Sequence, residues 1–293
     1  MPANFARSLG SHALLLEAKR RRAMGDYSRA TLGLYTKAWE LARSPKALLQ
    51  LCLFRHELGY HLPPSWHGLL GRSLPQLHGT DFETATILRC RRRKATQAAL
   101  RRKFEAWLSA PDLSQIAVVG NGANLLGTGQ ASLIEACSAV VRFNHWQATA
   151  ADVGRRTDLW VRSPLDLQRS NTPHPHPPPR WIAASGPDMA SRRHDWENWS
   201  EANGGDLLSI PLHAWRGLVR ELQAPPSAGV LTLGWLRSTR GTWEGIRAYG
   251  FGYEGGRYHA VRPKHRPSHR HDWEKESAIL RRWKSEGLKL GAN

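Results

Sequence analysis

The sequence is short of three things: cysteine, acidic residues and long apolar runs. It has 3 cysteines in 293 residues, Cys52, Cys90 and Cys137. An odd, widely spaced set excludes the disulfide framework that holds small secreted domains, and no pair has metal-ligand spacing. Buried free thiols are expected instead. No stretch approaches the roughly 20 apolar residues that a membrane helix needs. The brief apolar patch from Ala13 to Leu16 is followed, not preceded, by the basic run Lys19 to Arg22. That is the reverse of a secretory signal, and a cytoplasmic chain is expected. Acid is scarce relative to base, with 24 Asp and Glu against 42 Lys and Arg, giving a net charge of +18. Such a chain attracts anions: nucleic acid, lipid headgroups, acidic glycans or phosphate-bearing substrates. The charge does not specify a fold.

What is present is enough apolar sequence for a sizeable core, 41% of the residues. The chain divides near residue 110, into an α-helical region 1–110 and an α/β region 111–293. In the first, a helix over Ser11 to Met24 stops at Gly25, a residue suited to the left-handed position after a helix. Tyr27 to Arg43 carries Leu32, Tyr35 and Trp39 at helical spacing. Ser44 and Pro45 then supply an N-cap and a first-turn proline for a helix that runs to Leu58 and ends at Gly59. The two short helices resemble a tetratricopeptide-type pair, though one pair makes no repeat array. A connector from Pro63 to Gly79 leads to a capping box, Thr80 to Glu83, and a long basic helix to about Leu108. Its run Arg91 to Lys94 reads as a solvated face.

Beyond Pro111 the texture changes. Ile116 to Val119, Ala139 to Phe143, Leu159 to Arg162, Trp181 to Ala184 and Leu207 to Ile210 are apolar runs of strand length, separated by helical or loop segments. Alternation of this kind predicts an α/β domain with a mainly parallel sheet. His174 and His176 lie in a Pro-rich loop with no carboxylate or thiol to complete a metal site, so a surface loop is expected. The 13 tryptophans suit a core as well as a sugar-binding surface.

The strand Ile116 to Val119 runs into a turn containing Gly120, Asn121, Gly122 and Asn124, with a helix expected after it. Glycines allow close backbone approach, helix-start N–H groups suit phosphate, and the asparagine amides can meet a base or ribose. The turn lacks the full G-x-G-x-x-G pattern of dinucleotide sites. Two further elements follow at fixed order: Val140, Val141, Arg142, Phe143 and Asn144, then Asp152, Val153, Gly154 and Thr157. Downstream, Pro226, Ser227 and Gly229 open a helix-like segment, and Tyr249, Gly250 and Phe251 end a strand. His271 and Glu276 stand five positions apart at the start of a C-terminal amphipathic helix carrying Ile279, Leu280 and Trp283.

Taken together, residues 112–290 resemble the sialyltransferases, glycosyltransferase family 29, in a bacterial-type form. The first set is similar to the family's long donor-binding motif, the second to its short motif, and His271 with Glu276 to its very short motif. The resemblance implies a modified GT-A-type, Rossmann-like parallel sheet flanked by helices, following an N-terminal helical segment. It implies an inverting transfer of sialic acid from a CMP-sugar to a glycan or glycolipid hydroxyl. His271 is the expected general base, with Glu276 orienting the loop or the ring. Gly120, Asn121, Asn124, Asn144, Ser227, Gly229 and His259 are the expected donor contacts, His259 at the phosphate. CMP carries one phosphate and no Asp-x-Asp element is present, so neither metal nor further cofactor is expected. CMP-Kdo is an equal candidate for the donor, and peripheral contact with the inner membrane face is left open.

The chain also departs from the family. Ile116 and Trp243 stand where the animal enzymes carry a disulfide. Arg247 replaces an acidic residue, and Ala260 and Val261 follow His259 in place of an aromatic. The rival reading is a non-catalytic nucleic-acid-binding protein using the basic helix Arg89 to Lys103. No nucleic-acid motif accompanies that helix, and no nucleic-acid partner is expected.

Overall fold

The computed structural model describes residues 3–60, 63, 65, 66, 69, 82–146, 150–167, 175–192, 195–252 and 268–291. The expected capping box at Thr80, the histidines His174 and His259, and the side chain of Cys90 lie outside the described residues.

Three helices open the chain: α1 (Ala3–Ala23), α2 (Arg29–Ala42) and α3 (Pro45–Leu58). Their limits are set by local chemistry. The Ser28 hydroxyl accepts from Thr31 N–H at 3.4 Å and the Ser44 hydroxyl from Ala47 N–H at 3.2 Å. Each such cap contributes about 1 kcal/mol. Gly59, at φ 81°, ends α3 by taking a left-handed conformation that a side chain would strain. The long basic helix α4 (Phe82–Leu108) follows.

The remaining elements alternate: β1 (Ile116–Val119), a 3-10 turn (Ala123–Leu125), α5 (Ala131–Glu135), β2 (Ala139–Phe143), α6 (Ala150–Val153), β3 (Leu159–Arg162), α7 (Pro164–Leu167) and β4 (Trp181–Ala184). Then come α8 (Met189–Arg192), α9 (Trp196–Ala202), β5 (Leu207–Ser209), α10 (Leu212–Leu222), α11 (Ala228–Arg240), β6 (Ile246–Tyr249), α12 (Trp273–Ser285) and β7 (Lys289–Leu290). The described strands form one sheet in the order β5-β4-β3-β2-β1-β6-β7. Every pairing is parallel, with Val119 beside Arg142 on one side and Tyr249 on the other. The fold is therefore α/β with a parallel sheet flanked by helices, as the sequence predicts. The order runs outward from β1 in both directions, so the chain reverses between β1 and β6. Sheets of this kind leave a crevice at the carboxyl ends of the strands on either side of such a switch.

Alternate residues of each strand supply the two faces of the sheet. Ile116, Val118, Val141, Val161, Ala183 and Ala248 join one core with Tyr35, Leu49, Phe54, Phe104, Trp235 and Trp283. The N-terminal helices thus share a continuous apolar core with the sheet. Phe104 stacks on Trp235 at 4.5 Å and meets Trp181 edge-on at 5.5 Å. On the opposite face Ala117, Val119, Val140 and Tyr249 pack with Leu125 and Ile134.

Two sequence expectations are corrected here. Arg93, read as part of a solvated run, is buried at 6% exposure. Its guanidinium donates to Glu197 Oε1 at 2.7 Å and to the Ala190 carbonyl at 2.9 Å. Arg101 likewise turns inward, to Asp188 Oδ1 at 2.8 Å and the Ser209 carbonyl at 3.0 Å. Part of the charge of α4 therefore locks the helix to the sheet edge. The helix expected directly after the Gly120 turn is also a single 3-10 turn. Gly127 and Gly129, at φ 73° and 60°, break the chain before α5 can begin. Cys52 and Cys137 are free and buried, and burial pushes the Cys52 thiol up to about 12. None of the described helices is long and apolar enough to cross a membrane.

Candidate active site

The turn after β1 is laced to the end of β6. Gly120 N–H donates to the Tyr249 carbonyl at 2.8 Å and Gly122 N–H to the Gly250 carbonyl at 3.2 Å. A Cβ at Gly120 or Gly122 would lie 2.6 or 2.4 Å from the Gly250 carbonyl oxygen. Both glycines are therefore required by the neighbouring backbone, quite apart from any ligand. Asn121 donates through Nδ2 to the Phe143 carbonyl at 3.2 Å, tying the turn to the end of β2. Asn124 directs Oδ1 inward, where it is buried with no hydrogen-bond partner among the described residues. An acceptor in that condition loses its hydration without replacement, which is costly unless something else supplies a donor.

Asn144 ends β2 in the left-handed conformation, φ 48°, which asparagine tolerates better than most residues. Its Oδ1 accepts from Ser163 N–H at 2.6 Å and its carbonyl from Trp160 Nε1 at 2.8 Å. The rest of the long motif is occupied in the same internal way. Asp152 accepts from Gly129 N–H at 3.1 Å, Asp158 from Val140 N–H at 2.8 Å, and Glu135 from Arg155 N–H at 2.5 Å. Those backbone donors hold the Glu135 carboxyl below its usual value. Arg142 is buried, reaches the Arg156 carbonyl at 3.0 Å and lies 4.1 Å over the Trp146 ring. Burial brings its guanidinium down to about 10.

Across the crevice stands the first turn of α11. Ser227 is its N-cap, accepting from Val230 N–H at 3.3 Å. The Ser227 amide donates to Glu276 Oε1 at 2.5 Å. That carboxylate is fully buried, and it pins the start of α12 onto the start of α11. The turn keeps the Ala228 and Gly229 N–H groups, which helix geometry leaves without intrahelical acceptors. A Cβ at Gly229 would lie 2.6 Å from Phe251 Cε1. The same ring stands 6.3 Å edge-on from Phe143 and closes against Gly120. Phe251 thus connects the β1 turn, the end of β2 and the α11 terminus.

His271 precedes α12. Its Nδ1 lies 2.8 Å from the Pro225 carbonyl, an acceptor only, so Nδ1 carries the proton and Nε2 presents a lone pair. Trp273 flanks the ring edge-on at 5.1 Å. Burial is the main cause of a lowered imidazole pKa, reinforced by the Arg270 charge and opposed by the Pro225 carbonyl. A neutral imidazole is thereby favoured near neutral pH.

Phe251 links Gly120 to Gly229, Glu276 is bonded to Ser227, and His271 is held by Pro225 two residues before Ser227, while Asn121 and Asn124 belong to the β1 turn itself. Asn144 is displaced one strand outward and turned to β3. His259 lies outside the described residues. The sequence reading singled out none of Pro225, Asp152, Glu135 or Phe251 as site residues. Phe251 was visible in the Tyr249 to Phe251 element. A backbone carbonyl such as that of Pro225 leaves no signal in sequence.

The β1–β6 switch of this parallel α/β sheet thus brings together glycine turns, the N-terminus of α11 and His271. Residues 81–177 match the model of glycosyltransferase family 29 (sialyltransferase). The match contains the whole long motif and extends back through α4. Among solved structures, the chain is similar to a mammalian sialyltransferase at TM-score 0.48 and 16% identity, covering 79% of this chain and 86% of that one. It is also similar to a mammalian sialyltransferase in complex with Gal-beta-1-3GalNAc-ortho-nitrophenol, at TM-score 0.38 and 16% identity, covering 80% and 88%. No curated protein matches the chain.

Proposed function

We propose that this protein transfers sialic acid, or the related acidic sugar Kdo, from a CMP-sugar to a hydroxyl of a glycan or glycolipid, without a metal ion. The reading is carried by one observation: an imidazole with Nδ1 fixed on the Pro225 carbonyl and Nε2 left to receive a proton, beside the first turn of α11.

In this reaction the acceptor oxygen attacks the anomeric carbon of the donor. His271 Nε2 takes the hydroxyl proton as the new C–O bond forms, and the bond to the CMP phosphate oxygen breaks with inversion. General-base assistance of this kind contributes roughly 100- to 10,000-fold. The departing phosphate gains negative charge, which the Ala228 and Gly229 N–H groups at the positive end of α11 would offset. Resemblance to the family adds His259 at the same phosphate. Asn121 and the buried Asn124 Oδ1 are suited to the cytidine or ribose, whose N–H and O–H groups are donors. Glu276 acts as the positioning residue that holds α12 to α11. The basic surface would favour an anionic donor and an acceptor at a membrane face.

The test is a donor screen in which CMP-, UDP- and GDP-linked sugars are offered to purified protein and nucleotide release is measured. Release of CMP alone, undiminished by EDTA, is expected. Release from UDP- or GDP-sugars, or loss of turnover on chelation, would overturn the donor assignment or the metal-free mechanism respectively.

A further inference from the structure

The turn between α1 and α2 meets the two backbone segments on either side of the candidate base, at Arg270 and at Gln223. Gly25 leaves α1 at φ 92° and lies against the loop before His271. A Cβ there would stand 2.3 Å from the Arg270 carbonyl oxygen and 2.8 Å from Arg270 Cα. Two residues on, Tyr27 N–H donates to the Gln223 carbonyl at 3.1 Å. Gln223 begins the short link to Pro225, whose carbonyl receives His271 Nδ1 at 2.8 Å.

The turn is itself anchored. Tyr27 is buried, with its ring 5.3 Å from Phe54 on α3 and 6.0 Å from Trp215 on α10. Arg22, at the end of α1, donates to Glu57 Oε2 on α3 at 3.1 Å. Arg216 and Arg220 of α10 donate to the His56 and Leu58 carbonyls at the end of α3, at 3.1 and 3.2 Å. From the other side, Lys275 on α12 donates to the Leu222 carbonyl at 2.9 Å. The segment Leu222 to Pro225 is thus gripped by the N-terminal turn and by α12, with the imidazole between them.

We propose that the Gly25 to Tyr27 turn is a positioning element for His271, holding from outside the family-matched residues 81–177 the two backbone segments that fix the ring. It touches neither donor nor acceptor. Its importance to transfer rests on the proposed base role of His271, but its effect on the ring does not.

Gly25→Ala tests this, because an alanine must displace either the turn or the Arg270 backbone. Misplacing a reacting group by about 1 Å can cost on the order of 100-fold, so turnover should fall about 10- to 100-fold while CMP affinity by calorimetry stays unchanged. The His271 ring, followed by NMR titration, should lose part of its burial and titrate closer to an ordinary histidine. Gly241→Ala is the control. That glycine caps α11 at φ 75°, and a Cβ there would meet nothing within 4 Å, so the variant should melt lower yet keep the wild-type ring titration and turnover. Tyr27→Leu, which loosens the turn without backbone strain, gives a second route should Gly25→Ala not fold. Unchanged ring titration and turnover in both turn variants would overturn the proposal. A shifted titration in a protein that releases no nucleotide from any donor would uphold the brace and remove the base role.

Discussion

The two walls of the crevice are built by different means. On the strand wall, residues 116–158, side chains hold backbone: Asp152, Asp158, Glu135, Asn121 and Asn144 each bond a main-chain group of a neighbouring turn or strand. On the helix wall, backbone also holds side chains: the Pro225 carbonyl holds His271, and the Ser227 amide holds Glu276. The first arrangement fixes the shape of a cradle from within a contiguous stretch of chain. The second brings chain-distant segments together and leaves one reactive nitrogen over. Each of these strand-wall side chains thus has a bond within the chain, whereas the proton transfer is expected on the helix wall.

The largest effect that would separate the walls is that of His271→Ala. Removal of a general base should lower turnover by at least about 100-fold, with CMP binding by calorimetry unchanged. Wild-type turnover in that variant would remove the base assignment and leave both walls as scaffold. Asn121→Ala acts on the other wall and should be milder. Losing one amide contact to the nucleotide, worth about 1 kcal/mol net, should raise the donor KM about fivefold with the acceptor KM unaltered. A lower melting temperature with no change in donor KM would make Asn121 a brace between the β1 turn and Phe143 and nothing more.

The sheet was largely legible in the sequence for a physical reason. Strands buried on both faces read as mainly apolar runs, interrupted only by Arg142, Arg162 and Ser209, and five of them were delimited to within a residue. Strand β7 gave no such signal, since it is two residues long with Lys289 exposed. The helix caps at Ser44 and Gly59 were legible because they act within a few residues of chain. The failures are long-range. Arg93 looked solvated because its carboxylate partner, Glu197, lies 104 positions away. The bond from the Ser227 amide to Glu276 gave no sign in sequence, because the two lie 49 positions apart. The Gly25 turn carried no hint of His271 at all, because the contact is between backbone atoms. The motifs fall at the ends of β1, β2 and β6 and at the start of α11. Their order could not assign each polar group to scaffold or ligand, since that division depends on which distant partner arrives.

The smallest expected effect is in pH dependence, where the walls should part again. The folded-state pKa of His271 lies below the unfolded value of 6.5, chiefly through burial. The unfolded chain therefore binds the extra proton first, and the stability linked to this ring is fully present above 6.5 and lost as pH falls through the lower, folded value. Activity should follow the same ring, with the acid limb of kcat/KM displaced below 6.5. On the strand wall Glu135 has its pKa held below 4.5 by the Arg155 and Arg156 amides, so its contribution is present above that value and is lost only in stronger acid. Melting temperatures of the wild type and His271→Ala, measured from pH 7.5 down to 3.5, should converge as pH falls through the mildly acidic range and show no further convergence below it. If the difference between them is constant throughout, the imidazole is no more buried than a surface histidine, and the helix wall has been misread.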